Sequence, residues 1–335
     1  MKKTLSVIIP SYNVQQYLDE AVTSYVKPYY DERLEVIIVN DGSTDDTEKI
    51  ANRYQEQYPN IVKVISKANG GHGSTINEGI PYASGKYLKV IDGDDYINNA
   101  VLKHFLDFLD STDADVVTND KIEFLDGKDI KKTFAFGTEK YGKIYSIEEI
   151  NENWNFFIHR ISIKTELMKQ YMPKIDENCF YVDQEFIVYI LSFVKTLISS
   201  DAVLYYYRLG NINQSVSAQN MFKRRDNLER VINSLLSFYS QFVDNKMNRN
   251  VKNYINRRIA QQVNNYCSIV LSNPKSTEDD YRIVDDFLQR INRNYSEIVQ
   301  VMPQNKYIVL YQKCPRFLFR IIVNARRKKN PTFSQ

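Results

Sequence analysis

The sequence predicts an α/β protein with a mostly parallel central sheet in its N-terminal part and an all-helical C-terminal region. Three observations carry this. Short apolar runs alternate with segments of helical periodicity between Leu5 and Ile91. A polar cluster closes each of four such units. Beyond about residue 218 glycine is absent, and three long stretches of helical periodicity follow.

The elements follow in order. Leu5–Ile9 (LSVII) is short and apolar, as suits a parallel strand buried on both faces. Val14 to Tyr25 reads as a helix, with Leu18, Ala21, Val22 and Tyr25 at helical spacing. Leu34–Val39 is a second strand. The turn Asp41–Asp45 leads into a helix that Ser43 or Thr44 can cap. Val62–Ile65 is a third strand. Asn69–Gly73 is a loop, and Ser74 or Thr75 caps a helix running to about Ala83. Tyr87–Ile91 is a fourth strand, ending in Asp92-Gly93-Asp94-Asp95. Repeated strand–helix units of this length imply right-handed crossovers. Val101–Leu109 reads as helix, Asp115–Asn119 as strand, and Phe124–Lys143 as loop-rich. Phe222–Val243, Lys252–Leu271 and Asp279–Ile291 read as helices. The expected division is 1–218, with a nucleotide and metal half (1–98) and an acceptor half (99–218), then a helical domain at 219–335.

Apolar residues make up 43% of the 335, enough for a large core. The net charge of +3 offers no basis for a nucleic-acid partner. The 25 tyrosines serve packing or, at part-wet sites, stacking on sugar rings. Cys179, Cys267 and Cys314 are far apart and odd in number, which argues against a disulfide framework or zinc site and fits a reducing cytoplasm. The apolar run after Lys2 and Lys3 stops at Pro10, too early for a secretory signal. No stretch reaches the roughly 18 apolar residues of a membrane span; Phe186–Ile198 is interrupted by Lys195.

The polar clusters are Ser11-Tyr12-Asn13, Asn40-Asp41-Gly42-Ser43, Lys67 to Gly73, and Asp92 to Asp95. Open parallel sheets bind ligands beyond the carboxyl ends of their strands. Three carboxylates in four residues repel one another unless a cation lies between them. A hard divalent ion accepts one or two such carboxylates together with substrate phosphate oxygens. Gly93 permits a tight turn between them; a solvated acidic turn is the plain alternative. Asp41 can accept a bond from a base N–H or a ribose hydroxyl, or make an ordinary Asx turn. Asn69-Gly70-Gly71-His72-Gly73 precedes a helix N-terminus, which attracts phosphate. It lacks the lysine of a Walker loop, and His72 is either a loop histidine or a ligand contact.

VIIPSYN (7–13), VNDGSTDDT (39–47), NGGHGSTINEG (69–79) and IDGDDY (91–96) resemble the inverting family 2 glycosyltransferases of the GT-A fold, in order and in spacing. FIHRISIKTELM (157–168), FYVDQEF (180–186) and YYYRLGNINQSVS (205–217) resemble a bacterial branch more loosely. The resemblance implies Pro10, Tyr12, Asn13 and Asp41 around the base and ribose. It implies a phosphate-side role for Asn69, Gly70, Gly71 and His72, Asp92 and Gly93 near ribose or donor sugar, and Asp94 with Asp92 on Mn²⁺ or Mg²⁺. Asp183 matches the family's catalytic base, with Val182 where Glu is usual; the alternative is a helix N-cap. Arg208 with Gln214, Ser215 and Ser217 matches a mobile segment over the diphosphate; the alternative for Arg208 is a surface salt bridge.

The implied reaction moves a sugar from a UDP-sugar to a glycan, glycoprotein or lipid-linked acceptor, with Asp183 taking the hydroxyl proton. Two rivals differ in class. A nucleotide-sugar pyrophosphorylase would carry a Gly- and Arg/Lys-rich loop where SYNVQQY stands. A non-catalytic nucleotide-sugar- or glycan-binding subunit would not need an intact DGDD. Donor, acceptor and linkage depend on the loops from Asn119 to Trp154. At the C-terminus, Phe317, Leu318, Ile321 and Ile322 share a helix face beside Arg316, Arg320, Arg326, Arg327, Lys328 and Lys329. This segment is either a helix docked on its own domain or a peripheral helix on anionic lipid at the inner membrane face.

Overall fold

The computed structural model describes residues 2–28, 31–125, 128–133, 141–152, 154, 156–209, 218–243, 247–273, 275–314, 316, 318, 319 and 321. The chain forms two compact units, Met1–Asn211 and Ile212–Gln335.

The first unit runs β1 (Leu5–Ser11), α1 (Leu18–Val26), β2 (Leu34–Asn40), α2 (Thr47–Gln57), β3 (Val62–Ser66), α3 (Gly71–Tyr82) and β4 (Tyr87–Val90). It continues through β5 (Tyr96–Ile97), α4 (Asn99–Ser111), β6 (Val116–Leu125), β7 (Lys128–Thr133), β8 (Ile144–Ser146), β9 (Ile161–Lys164), α5 (Thr165–Tyr171), α6 (Asp183–Ile190) and β10 (Thr196–Arg208). Among the described residues these strands form one sheet of order β3-β2-β1-β4-β9-β6-β10-β5, with β7 on β6 and β8 on β10. β3, β2, β1 and β4 are mutually parallel, with Ile8 opposite both Ile37 and Val90. Beyond β4 the sheet is mixed, because β9 enters antiparallel between β4 and β6.

The runs of β1, β2 and β4 are covered on both faces, while β3, at the sheet edge, is only partly buried. Leu5, Val7 and Ile9 of β1 join a core with Leu18 and Val22 of α1, Ala51 of α2, and Phe105 and Leu106 of α4. On the other face, Ile8 meets α3 at Gly79, where an added Cβ would lie 2.8 Å from Ile8 Cδ1.

Four local expectations are corrected. The helix expected from Val14 starts at Leu18, because the Val14 and Gln15 amides donate to Thr47 Oγ1 (2.9 Å) and Asp45 Oδ2 (3.2 Å). Asp45, not Ser43 or Thr44, accepts the first amide of α2, that of Thr47, at 3.0 Å. α3 begins at Gly71, so Ser74 and Thr75 lie within its first turns and donate back to the Gly71 and His72 carbonyls. The stretch expected to be loop-rich contains β7, antiparallel to β6.

The second unit contains α7 (Ala218–Lys223), α8 (Arg225–Phe242), α9 (Arg249–Ser272), α10 (Glu278–Asn294), α11 (Ser296–Gln300) and α12 (Lys306–Lys313). α9 lies at its centre and buries Ile255, Ile259, Val263, Cys267 and Val270. Asn248 caps α9, and Thr277 with Asp280 forms a reciprocal box at the start of α10. In the basic tail, Phe319 is buried edge-on to Tyr281 and Tyr311, while Leu318 and Ile321 are exposed. Phe317, Arg320, Ile322, Arg326, Arg327, Lys328 and Lys329 lie outside the described residues. Among the described residues no helix is long and apolar enough to cross a membrane. All three cysteines are free.

Candidate active site

The strand order reverses direction at β1: β2 and β3 lie on one side and β4 on the other. The crevice beyond the carboxyl ends of β1 and β4 is therefore the topological switch point. Pro10 pairs with Val39, one position before the β1 ladder ends at Ser11 opposite Asn40, and its carbonyl accepts Gly93 N at 3.1 Å. A Cβ on Gly93 would lie 2.9 Å from Ser11 Oγ and 3.0 Å from Pro10 O, so only glycine lets the two turns meet. Asn13, at φ 53°, accepts Thr44 N at 2.9 Å and donates its own N–H to Ser43 Oγ at 3.0 Å. It ties the turn after β1 to the turn after β2. Tyr12 is 51% exposed at the rim.

Asp41 is a hub. One carboxylate oxygen accepts Lys67 Nζ (2.9 Å), Gly70 N (2.9 Å) and Ser74 Oγ (3.3 Å). The other accepts Gly71 N at 2.8 Å. Asn69 Nδ2 donates to the Asp41 carbonyl at 2.9 Å. The buried carboxylate thus neutralises the positive end of α3 itself. The amides of Gly70 and Gly71 are thus both bonded to Asp41.

The four residues after Ile91 divide by direction. Asp92 Oδ1 meets His72 Nε2 at 2.9 Å. Burial opposes charge on His72, but the bond and charge of Asp92, then the charges of Asp183 and Asp94, raise its pKa. Asp92 is held below its usual range: burial works against this, and the His72 bond and charge prevail. Asp95 turns inward. It accepts Arg208 N at 2.7 Å and the Tyr205 hydroxyl. Burial, then the charges of Asp94 and Asp92, push its carboxyl well above the usual range. The buried Tyr25 hydroxyl, raised by burial and then by Asp95 and Asp92, has no hydrogen-bond partner among the described residues.

Among the described residues no three His, Cys, Asp or Glu side chains converge to hold a metal alone. A Mg²⁺ or Mn²⁺ needs only one or two protein carboxylates where phosphate oxygens complete its shell. Asp92, 36% exposed at its side chain, and Asp94 suit this; the inward Asp95 does not.

Asp183 is the first residue of α6, one position inside the expected cap; Val182 is the capping residue and makes no side-chain cap bond. Its Oδ2 accepts Gln184 Nε2 at 2.8 Å. Its charge is felt by His72 alongside those of Asp92 and Asp94. The fold thus joins His72 to Asp92 by a direct bond, and the charges of Asp183 and Asp94 act on the same imidazole.

A family model described as "Glycosyl transferase family 2" matches residues 6–171. This stretch is a family 2 glycosyltransferase domain. Its span includes the Asp41 hub and the DGDD turn, and stops short of Asp183 and Arg208. Among curated relatives, the minor teichoic acid biosynthesis protein GgaB of Bacillus subtilis is 29% identical over 71% of this chain. The match spans 26% of GgaB. The poly(ribitol-phosphate) beta-N-acetylglucosaminyltransferase TarS of Staphylococcus aureus is 34% identical over 33% of this chain and 20% of its own. The crystal structure of TarS residues 1–349 with UDP-GlcNAc superposes with a TM-score of 0.59 and 20% identity, covering 98% of this chain and 89% of that one. The two share the fold.

Within the family 2 frame, Arg208 departs from the expected mobile segment. It ends β10, and its Nε donates to the Asp94 carbonyl at 3.0 Å. The guanidinium pairs with Glu20 and lies over Tyr17 (5.1 Å) and Phe124 (4.8 Å). It braces the DGDD turn. Gln214, Ser215 and Ser217 lie outside the described residues. Two contributors had escaped notice. Lys67, first residue of the third polar cluster, pairs with Asp41, which its place after β3 could have suggested. Tyr205 opens the motif at 205–217, but nothing in its three consecutive tyrosines marked which one would meet Asp95.

Proposed function

We propose that the chain is an inverting, metal-assisted glycosyltransferase. It moves a sugar from a UDP-sugar to a hydroxyl of a cell-surface polymer. The observation that carries this reading is the His72–Asp92 pair at the switch point of a family 2 domain, with the charges of Asp183 and Asp94 acting on the same imidazole. The teichoic-acid and poly(ribitol-phosphate) names of GgaB and TarS support a polyol phosphate acceptor and a β-linked product.

In the reaction, the acceptor oxygen bonds to the anomeric carbon as the bond from that carbon to the diphosphate oxygen breaks. Asp183 takes the hydroxyl proton, since a neutral hydroxyl is a poor nucleophile. Asp92 and Asp94 would hold a Mg²⁺ or Mn²⁺, which would supply positive charge to the departing diphosphate. Arg208 keeps the Asp94 backbone in place, and His72 holds Asp92 ionised. Attack opposite the leaving group turns an α-linked donor into a β-linked product. Asp41 orders α3, while Pro10 and Tyr12 stand where the base and ribose would lie. The free cysteines support a cytoplasmic site of action. The catalytic part is the first unit.

The test is UDP release from a panel including UDP-glucose and UDP-GlcNAc, with poly(ribitol phosphate) and glycan acceptors. Asp183→Asn should lower turnover at least ~10²-fold, the lower range for losing a general base, with little change in UDP affinity. Asp94→Asn should keep the fold yet abolish Mn²⁺- or Mg²⁺-dependent transfer. No UDP binding with or without Mn²⁺, and no release with any pair, would refute the reading.

A further inference from the structure

Asp183 is preceded by a segment under backbone tension. Asn178 and Tyr181 adopt φ of 52° and 68°, a region costly for a bulky side chain such as tyrosine. Such a path persists only where its surroundings impose it. Here they do so from two sides. On the α3 side, Asn77 Nδ2 donates to Ile175 O (2.8 Å) and to Glu177 Oε1 (3.2 Å), while Asn77 Oδ1 accepts Ile175 N (3.0 Å). One amide side chain thus pairs with both backbone groups of Ile175, as a neighbouring strand would. Asn178 N donates to the Gly70 carbonyl. On the α6 side, the fully buried Glu185 accepts Asp176 N at 2.9 Å. The approach is close enough that a Cβ on Gly73 would lie 2.2 Å from Asp176 O.

We infer that Asn77 is a positioning residue that locks the segment bearing Asp183 onto the donor-side helix α3. The same helix begins at the Asp41 hub and carries His72 against Asp92. α3 is therefore a shared frame, with the leaving-group side at its N-terminus and the proton acceptor clamped one and a half turns on. Asn77 touches no reacting atom. It sets the distance between the two halves of the site. The inference rests on Asp183 being the proton acceptor of the proposed transfer.

The test compares Asn77→Ala, Asp183→Asn and the double variant in the full chain. UDP release is followed with the donor–acceptor pair that the panel identifies, and UDP binding by calorimetry. Asn77→Ala should lower kcat ~10- to 100-fold, the scale of a misplacement near 1 Å, and leave UDP affinity within about twofold. In the Asp183→Asn background it should add less than about twofold, since residues acting as one unit are not additive. General structural damage would instead multiply the two losses. Unchanged kcat, a parallel fall in UDP affinity, or multiplied losses would overturn the inference while leaving Asp183 in its role. Full activity of Asp183→Asn would sink the base assignment itself. Should Asn77→Ala not fold, Asn77→Asp replaces it under the same criteria, keeping the acceptor for Ile175 N and losing both donated bonds.

Discussion

Asp41→Asn separates two roles for one carboxylate. If the side chain chiefly meets a ligand, the substitution weakens UDP binding and spares the fold. The structure predicts the opposite emphasis. One oxygen serves Lys67 Nζ, Gly70 N and Ser74 Oγ, and an asparagine oxygen can keep those bonds. Its amino group must then face Gly71 N, now at 2.8 Å from an acceptor. A buried N–H left without an acceptor costs ~1–3 kcal/mol. Loss of the negative charge at the start of α3 costs a further ~0.3–2 kcal/mol. The sum is about 3 kcal/mol. For a unit of this size each kcal/mol moves the melting point by ~2–4 °C, so the loss should be roughly 6–12 °C. Thermal unfolding by circular dichroism without ligand measures it, and calorimetry with UDP and Mn²⁺ supplies the counterpart. A melting point within ~2 °C of wild type, together with lost UDP binding, would refute the hub.

Three further outcomes are expected. Arg208→Lys keeps the charge but not the bond to the Asp94 carbonyl; metal-dependent UDP binding should weaken about tenfold, the equivalent of ~1.4 kcal/mol, and unaltered titration would remove Arg208 from the bracing role. His159 is held well below its ordinary range by burial, then by Lys121, against the opposing charge of Asp92. Because its folded pKa lies below the unfolded value of 6.5, the stability it contributes is present above pH 6.5 and lost as pH falls beneath it. His159→Phe, which preserves the stacking on Tyr205 at 4.4 Å, should lose less melting temperature between pH 7.5 and 5.5. The difference is on the order of 1 kcal/mol, and identical losses would count against it. Replacing Arg326, Arg327, Lys328 and Lys329 by alanine spares the docked Phe319 and should cut binding to anionic vesicles at low salt, at ~1 kcal/mol per charge; equal sedimentation would leave the tail without a membrane role.

The strand–helix alternation and the carboxyl-end polar clusters were legible because they are local. Three apolar runs, β1, β2 and β4, are buried on both faces, as parallel strands inside a sheet require, and DGDD after Ile91 announces concentrated charge by itself. The motifs and their spacing carried the family likewise. Direction was not local. Three successive aspartate-rich positions look alike in a string, yet Asp95 turns into the core because Tyr205 and Arg208, more than a hundred residues away, offer it donors. That Asp41 also holds the start of α3 was not visible in the sequence, because only β2 and β3 deliver it to the first amides of that helix. Asn77 and Ile175 are 98 residues apart, so their pairing had no trace in either segment. Sequence determined which residues carry charge and where strands end. Only the tertiary structure decided which of those charges the protein spends on its own backbone and which it leaves facing the crevice, because a hydrogen bond needs a partner within about 3 Å, and only the fold sets that distance.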